Sequence, residues 1–166
     1  SYRDRMLIFR YAGFQYKTNE NWQSNGPVSY KTAKACFKDM TTPEAVSITS
    51  SFAETMLAAK PAGEKVSCSV LQVDDDFWKV FQFDFLSGYP FDKATFDAGA
   101  TKAVITEDIA RQLFGTTDVV GKTFLLNHSA YMICGVVRPV SKLARYAYAQ
   151  IWIPLSSTDA FTASWE

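Results

Sequence analysis

The sequence predicts an α+β domain in which strands outnumber helices. Of the 166 residues, 48% are hydrophobic and 15% are aromatic, which is enough for a packed interior and too much for intrinsic disorder. Seven segments have the composition or alternation of extended structure, whereas three have the apolar spacing that marks an amphipathic helix. The order of strands and helices is mixed, and the chain contains no internal repeat.

The N-terminal part of the chain predicts a strand, a loop, a helix and a second extended segment. Residues 5–16 alternate loosely between apolar and polar side chains and predict a strand that is partly buried on both sides. The polar stretch 19–27 contains Gly and Pro and predicts a loop. Ser29 is a favourable N-cap for a helix over residues 30–40. Residues 46–59 are rich in Ser, Thr and small apolar residues and predict extended structure.

The central part predicts a strand, a short helix and an aromatic loop. A turn at residues 61–64 leads into residues 66–73, where apolar residues alternate with serines as in a strand with one buried face. Asp74 is then predicted to cap a short helix with apolar residues at helical spacing. Residues 83–99 predict a loop region that is rich in aromatic residues.

The C-terminal part has the clearest local signals. A strand is predicted at residues 103–105, with Thr106 as the N-cap of a helix over residues 107–114. The helix carries two acids in its first turn, where they complement the helix dipole, and Gly115 fits its C-terminal cap. Three further strands, separated by polar turns, are predicted at residues 122–126, 131–138 and 148–153.

Charge and composition exclude several classes of protein. Lys and Arg number 17 and Asp and Glu also number 17, so no polyelectrolyte surface for nucleic acid is expected. His128 is the only histidine, which removes most catalytic and metal-binding arrangements. No apolar run reaches the ~18 residues of a membrane-spanning helix. Ser1–Arg5 is too polar for a signal peptide, and we expect the chain to be part of a longer protein.

Three cysteines with no zinc or redox spacing are expected to be buried free thiols: Cys36, Cys68 and Cys134.

Motifs for chemistry are incomplete. Gly121-Lys122-Thr123 resembles the end of a phosphate-binding loop, but the required upstream Gly is replaced by Thr116 and a strand, not a helix, follows. The acidic run Asp74–Asp76 lacks the alternation of a calcium loop, and helix capping in a solvated turn explains it better. The sequence therefore predicts no catalytic, cofactor-binding or metal-binding residues. An acid–base hydrolase built from Asp74, Asp76 and Glu107 remains the enzymatic alternative.

Aromatic residues are concentrated between positions 77 and 96. Such a density builds the core of a small lobe more often than it forms an exposed surface for a partner, and both interpretations stay open. The eight residues are Phe77, Trp78, Phe81, Phe83, Phe85, Tyr89, Phe91 and Phe96. The partner surface, if formed, is predicted to use Phe83, Phe85, Tyr89, Phe91 and Phe96.

Several segments between Leu71 and Pro154 share the pattern of a known family. They include Ala-Arg-Gln-Leu-Phe-Gly at 110–115, Asp-Val-Val-Gly-Lys at 118–122 and Trp-Ile-Pro-Leu at 152–155, together with the segments 73–81, 86–88, 103–107 and 131–139. In these segments the chain resembles the MacB-like periplasmic core domains of FtsX-like permeases. Residues 29–51 fit the family only loosely. None of the matching residues is chemically reactive, so the shared pattern is one of folding.

The resemblance implies a non-catalytic periplasmic domain of an ABC-transporter permease in a bacterial inner membrane. Such a domain is the loop between the first and second membrane helices. It engages a substrate or partner protein and is moved by mechanotransmission from a cytoplasmic ATPase. The implied partners are the permease's own membrane helices, the ATPase acting indirectly, a periplasmic adaptor or substrate, and a second copy in a homodimer or pseudo-dimer. No cofactor and no nucleic acid are implied.

The resemblance also implies two lobes. Residues 1–75 correspond to a porter-like α/β lobe, with residues 155–166 as the candidate segment to complete it, and residues 76–154 correspond to a β-rich sabre-like lobe. Family members continue after the Pro-Leu strand with a further strand and helix, whereas this sequence stops at Glu166, so we expect an incomplete or differently closed first lobe. The alternative function is a stand-alone secreted module that binds a ligand or protein through the region Phe77 to Phe96.

Overall fold

The computed structural model describes residues 6–16, 19–158 and 161, and within them the chain forms an α+β fold, as predicted. The strands are β1 (Tyr11–Tyr16), β2 (Asn19–Pro27), β3 (Glu54–Ala59), β4 (Lys65–Val73), β5 (Phe85–Gly88), β6 (Lys102–Thr106), β7 (Thr123–Leu126), β8 (Ser129–Val137) and β9 (Ile151–Pro154). The α-helices are α1 (Tyr30–Ala33), α2 (Phe77–Val80), α3 (Lys93–Asp97) and α4 (Glu107–Phe114). A π-helical turn, Lys34–Lys38, continues α1, and a 3₁₀ turn, Leu155–Ser157, follows β9.

Six of the strands close into a barrel. They pair in the order β8-β6-β9-β4-β3-β7, and β7 returns to β8. The pairs β6–β8 and β4–β9 are parallel and the others are antiparallel. Because β8 is nine residues long, its first half pairs with β7 and its second half pairs with β5, which lies outside the ring. The strands β1 and β2 form a separate antiparallel hairpin.

The turn between β7 and β8 strengthens the closure of the ring. Asn127 and His128 have φ angles of 45° and 80°, as in the tight hairpin turns whose twist matches the strands. The Asn127 backbone N–H donates to the Leu57 carbonyl at 3.0 Å, and its side-chain oxygen accepts from the Leu57 N–H at 2.9 Å. These two bonds join the turn to β3 beside the short β3–β7 pairing.

The barrel interior is filled by apolar side chains from alternate strand positions. The helix α4 packs against this interior through Ile109, Ala110 and Leu113, which lie on one face of the helix. The strands contribute fully buried side chains, among them Ala58, Val70, Ile105, Phe124, Ile133, Ile151 and Ile153. As in other small barrels, the interior is filled by packed side chains.

The C-terminal predictions are confirmed with shifts of one to three residues at the strand ends. Strand β6, helix α4 and the last three strands occur where they are predicted. Gly115 ends α4 with a φ of 73°, and its N–H bonds the Arg111 carbonyl at 2.8 Å. Thr106 occupies the N-cap position, although its side chain makes no capping bond.

Several N-terminal and central predictions are wrong. The stretch 19–27, predicted as a loop, is strand β2, because a hairpin is held by backbone bonds that polar residues form equally well. The predicted loop 83–99 contains β5 and α3. The strand predicted from Arg5 begins at Tyr11, and Arg5 itself lies outside the described residues. Regular strand structure in 46–59 is confined to β3.

The first helix is shorter and less regular than predicted. Ser29 is its N-cap, since the Ser29 hydroxyl accepts from the Thr32 N–H at 3.2 Å. Four α-helical residues are followed by the π-helical turn to Lys38, so the helix ends two residues before position 40. Asp74 does not cap α2: the N-cap position is Asp76, and Asp74 is fully buried.

The cysteines differ in their surroundings. Cys68 is buried in the barrel core, and burial raises its pKa to about 11. Cys134 is half-buried, whereas Cys36 is exposed, because the short helix that carries it buries only Ala33. The expectation of three buried thiols is therefore wrong for Cys36.

The predicted boundary between two lobes at residue 75 falls between β4 and α2. Strands β3 and β4 precede this position and pair with β7 and β9, which follow it, so the sheet continues across the boundary. The division into lobes stays a prediction. Of the C-terminal residues 155–166 that were expected to complete the first lobe, 159–160 and 162–166 lie outside the described residues.

Gly88 at the end of β5 is expected to tolerate no side chain. Its φ is 68°, and a Cβ atom there would lie 2.1 Å from the Cys134 carbonyl oxygen. We expect Gly88→Ala to lower the free energy of unfolding by about 2–3 kcal/mol in urea denaturation, since left-handed strain adds to a backbone clash. Gly115→Ala is the matched control, because its φ is 73° and nothing lies within 4 Å of its Cβ position. It should cost about 1 kcal/mol; equal costs for the two variants would show that the clash is absent.

Candidate interaction surface and ionic cluster

The aromatic segment packs on the outer face of the barrel. At its centre is Trp152 of β9, which is fully buried and whose Nε1 donates to the Ala147 carbonyl at 3.2 Å. The ring of Phe83 lies 5.0 Å from that of Trp152, and the ring of Trp78 lies 6.4 Å from it, both near edge-to-face. Phe77 of α2 is also fully buried in this cluster. Most of the aromatic density therefore forms a second core, as the commoner interpretation of the sequence predicted.

The five residues predicted to form a partner surface are not equally accessible. Phe91 and Phe96 are 3% and 4% exposed, so their rings cannot contact a partner, and the predicted set is corrected for them. Phe83 and Phe85 are half-buried against the aromatic core. Tyr89 alone among the five is largely exposed, at 81%. The partner surface stays a prediction, limited by burial to Tyr89 and the accessible parts of Phe83 and Phe85.

A cavity of about 190 Å³ lies beside Tyr89. Besides Tyr89, its polar lining comes from Asp92, Thr95, Lys102 and Cys134. Burial raises the pKa of Cys134 to about 11, so its thiol is protonated at neutral pH and is a poor nucleophile. The thiol donates to the Ala103 carbonyl at 3.3 Å. The cavity is below the ~300 Å³ at which small-molecule sites begin, so it suits a single side chain of a partner better than a metabolite.

An ionic cluster around one buried carboxylate joins the helical segment near the N-terminus to the end of β4. The Lys38 ammonium lies 2.7 Å from Asp74 and 2.6 Å from Asp76, and it also donates to the Val46 carbonyl at 2.7 Å. The Asp74 carboxylate accepts from the Ser47 hydroxyl and the Ile48 N–H, both at 2.8 Å. Three separate segments of the chain therefore meet at one fully buried carboxylate.

Burial and pairing act in opposite directions on the ionisation of this cluster. Burial raises the pKa of Asp74 above its usual value, although Lys38 and the Ile48 N–H oppose the shift. Burial would lower the pKa of Lys38, but its hydrogen bonds to Asp74 and Asp76 outweigh burial and raise it. For Asp76, hydrogen bonds to Lys38 and Lys79 outweigh burial, and its pKa is lowered. Lys38 is therefore charged and neutralises the buried carboxylate.

The sequence contains no signal for this cluster. Asp74–Asp76 was explained as a cap in a solvated turn, and that explanation is wrong for Asp74, which is fully buried. The residue that accounts for its burial, Lys38, lies 36 positions earlier, at the end of the π-helical turn. In the sequence, only the run of three acids drew attention to Asp74, and no local pattern indicated that Lys38 is its partner.

The hydrolase alternative loses its geometric support. Asp74 and Asp76 share one lysine, and Glu107 lies 3.9 Å from Arg111 on the same helix. The Asp74 carboxylate is fully buried and bonded to Lys38, Ser47 and Ile48, so it is not accessible to a substrate. Within the described residues, no three His, Cys, Asp or Glu side chains are placed to hold a metal ion.

Comparison with known protein families gives a match over almost the whole chain. The family model described as MacB-like periplasmic core domain matches residues 4–165. A curated relative, the uncharacterized ABC transporter permease YknZ of Bacillus subtilis (strain 168), is 25% identical over 93 residues. That match covers 56% of this chain and 23% of the relative, so the chain spans about a quarter of the length of this permease.

Solved structures of low sequence identity share the fold. The extracellular domain of the noncanonic ABC-type transporter YknZ from Gram-positive bacteria matches with a TM-score of 0.62 and 17% identity, over 76% of this chain and 63% of that one. The periplasmic region of MacB from Actinobacillus actinomycetemcomitans matches with a TM-score of 0.56 and 12% identity, over 70% and 52%. A domain of a putative permease protein from Porphyromonas gingivalis gives 0.53 and 19%, over 69% and 52%. In the described part of this chain, no helix has the length and hydropathy needed to cross a bilayer.

Proposed function

The chain belongs to the MacB-like periplasmic core domain family, the periplasmic domains of ABC-transporter permeases, and we propose that it relays ATP-driven movement to a substrate or partner outside the cytoplasm. The observation that carries this proposal is the family match over residues 4–165. In the proposed arrangement ATP is hydrolysed by a cytoplasmic ATPase, and the domain itself performs no chemistry. The membrane helices of the parent permease connect the two.

The architecture suits a part that moves as a rigid body. The strand ring has no open edge between its six members; its interior side chains pack with one face of α4, and its outer face packs against the aromatic core. Close-packed interiors resist compression and transmit displacement. The cluster of Lys38, Asp74 and Asp76 further joins the helical segment after β2 to the barrel. A movement applied to the helical segment is then shared by the barrel.

The partner of the domain is proposed to contact the face around Tyr89. This side chain is the most exposed of the predicted set, and a cavity large enough for one side chain lies beside it. Exposed aromatic residues are enriched at protein interfaces. The proposed partner is a periplasmic adaptor or substrate protein, and a second copy of the domain is expected in the assembled transporter.

Distance measurements between spin labels in the parent permease test the relay. Exposed Cys36 is first replaced by Ser, and a label is placed at exposed Glu64, in the turn between β3 and β4. With ATP, the distance between the labels of the two copies is expected to shift by several ångströms, since each domain moves with its membrane helices. An inter-copy distance that is the same with and without ATP would contradict the relay.

A second pair of labels within one domain serves as the control. Glu64 and Arg111 are both exposed, in the β3–β4 turn and on α4. Their separation is expected to stay constant with ATP, because both are attached to the same barrel, which moves as one body. A change in this internal distance would show that the domain deforms, which contradicts a rigid relay even if the copies move.

A further inference from the structure

One part of the surface combines exposed apolar side chains with unpaired cations. We call it the apolar–basic surface, and it consists of residues 6–10, Phe52 and the turn 141–146. Leu143 is 94% exposed, Leu7 is 83% exposed and Phe52 is 56% exposed. The other exposed apolar residues of these segments are Met6, Ile8, Phe9 and Tyr146. Exposed apolar side chains occur singly on most surfaces, whereas a group of this size marks a site of interaction.

Contacts hold the three segments together. The Arg10 guanidinium lies 5.0 Å from the ring centre of Phe52 and 5.5 Å from that of Tyr146. Leu143 is presented by an ordered turn, in which its N–H donates to the Ser141 hydroxyl at 3.2 Å. Three segments that are far apart in sequence therefore meet at Arg10, Phe52 and Tyr146.

The charge of this surface has one sign. Arg10, Lys142 and Arg145 supply three cations, and the segments 6–10, 50–53 and 141–146 contain no carboxylate. None of the three cations forms an ion pair with a carboxylate among the residues that the structure describes. Although the net charge of the chain is zero, this surface has a local excess of positive charge, which favours an anionic partner.

We propose that the apolar–basic surface docks on an anionic lipid bilayer. Leu and aromatic side chains enter the boundary between headgroups and acyl chains, while Lys and Arg remain at the phosphates, which is the composition of interfacial membrane anchors. A symmetric contact between two copies through this face would place Arg10, Lys142 and Arg145 against the same cations of the other copy, so like charges oppose it. The inference goes beyond the relay function, since a domain can relay movement without touching lipid.

Vesicle binding of the chain tests the proposal. The chain is mixed with vesicles of phosphatidylcholine alone or of phosphatidylcholine with phosphatidylglycerol, and the bound fraction is measured by flotation. Binding is expected only with phosphatidylglycerol and should weaken as salt is raised. The double substitution Lys142→Ala/Arg145→Ala should lower the partition coefficient about 30-fold, because each cation near an anionic surface contributes about 1 kcal/mol. Leu143→Asp should also lower it.

Matched variants elsewhere on the domain are the controls. Lys60→Ala/Lys65→Ala removes two exposed cations near the β3–β4 turn, and Val120→Asp puts a carboxylate at an exposed aliphatic position before β7. Both should leave the partition coefficient within about twofold of the unaltered chain. Equal reductions by control and surface variants would overturn the assignment to this face.

Two further results would overturn the proposal. One is binding that is absent, or equal with and without phosphatidylglycerol. The other is a dimer of the unaltered chain that Leu143→Asp dissociates, with no binding to vesicles, which would make the surface an interface between copies. The distance measurements on the parent permease involve no vesicle-binding readout, so failure of lipid docking and failure of the relay are distinguishable.

Discussion

Replacing Trp152 with Ala is expected to lower the free energy of unfolding by about 4–5 kcal/mol, the largest loss from a single substitution in the outer core. The indole is fully buried and contacts the rings of Phe83 and Trp78. Its removal leaves a cavity against the barrel and deprives the Ala147 carbonyl of its hydrogen bond. Urea denaturation followed by circular dichroism measures the change without depending on tryptophan fluorescence.

Two variants separate burial from hydrogen bonding in this result. Trp152→Phe keeps an aromatic ring and loses the bond to Ala147, so it should cost about 1–2 kcal/mol beyond any repacking. Tyr89→Ala truncates an aromatic side chain that is largely exposed and should change stability by less than about 0.5 kcal/mol. If Trp152→Ala cost no more than Tyr89→Ala, the aromatic segment would not be a core.

Elements with local signals could be predicted from the sequence. Helix α4 has two acids in its first turn, an apolar stripe and Gly115 at its end, and each of these signals lies within a few residues of the feature that it marks. The strands β7 and β8 are separated by Asn127 and His128, a turn that short-range conformational preferences suffice to indicate. Such features depend on neighbours in sequence, which are visible without the fold.

Features that depend on distant residues could not be predicted. Closure of the barrel requires β3 to pair with both β4 and β7, and nothing in the strand patterns states which strands are neighbours. Strand β2 can be polar, because backbone hydrogen bonds to β1 hold the hairpin together. The polar composition of residues 19–27 therefore indicated a loop.

The aromatic segment shows the same limit for the candidate site. A buried and an exposed phenylalanine have the same sequence signal, and the fold decides between them. Phe91 lies against the outer face of the barrel, whereas Tyr89, two residues earlier, points away from it. The predicted partner surface therefore contained residues of both kinds.

Replacing Lys38 with Met is expected to lower the free energy of unfolding by about 3–4 kcal/mol at neutral pH. The substitution leaves the fully buried Asp74 carboxylate with only the Ser47 hydroxyl and the Ile48 N–H as partners, and an uncompensated buried charge is strongly destabilising. Lys79→Met is the matched control, since Lys79 also lies 2.6 Å from Asp76 but its side chain is 70% exposed. An exposed pair of this kind contributes little, so the control should change stability by less than about 1 kcal/mol.

The cost of Lys38→Met should fall as the pH is lowered. Burial raises the pKa of Asp74 even beside Lys38, and loss of the cation raises it further. The folded variant then binds a proton more tightly than the unfolded chain, whose carboxyl titrates near 3.8, so protonation on acidification favours the folded state. The double variant Lys38→Met/Asp74→Asn carries no charge at either position and should be more stable at neutral pH than Lys38→Met alone. Two results would contradict the ion pair between Lys38 and Asp74. One is that the costs of the two substitutions add, and the other is that Lys38→Met costs the same at pH 7 and near pH 3.8. Either result would mean that Lys38 has no effect on the energy of the Asp74 carboxylate.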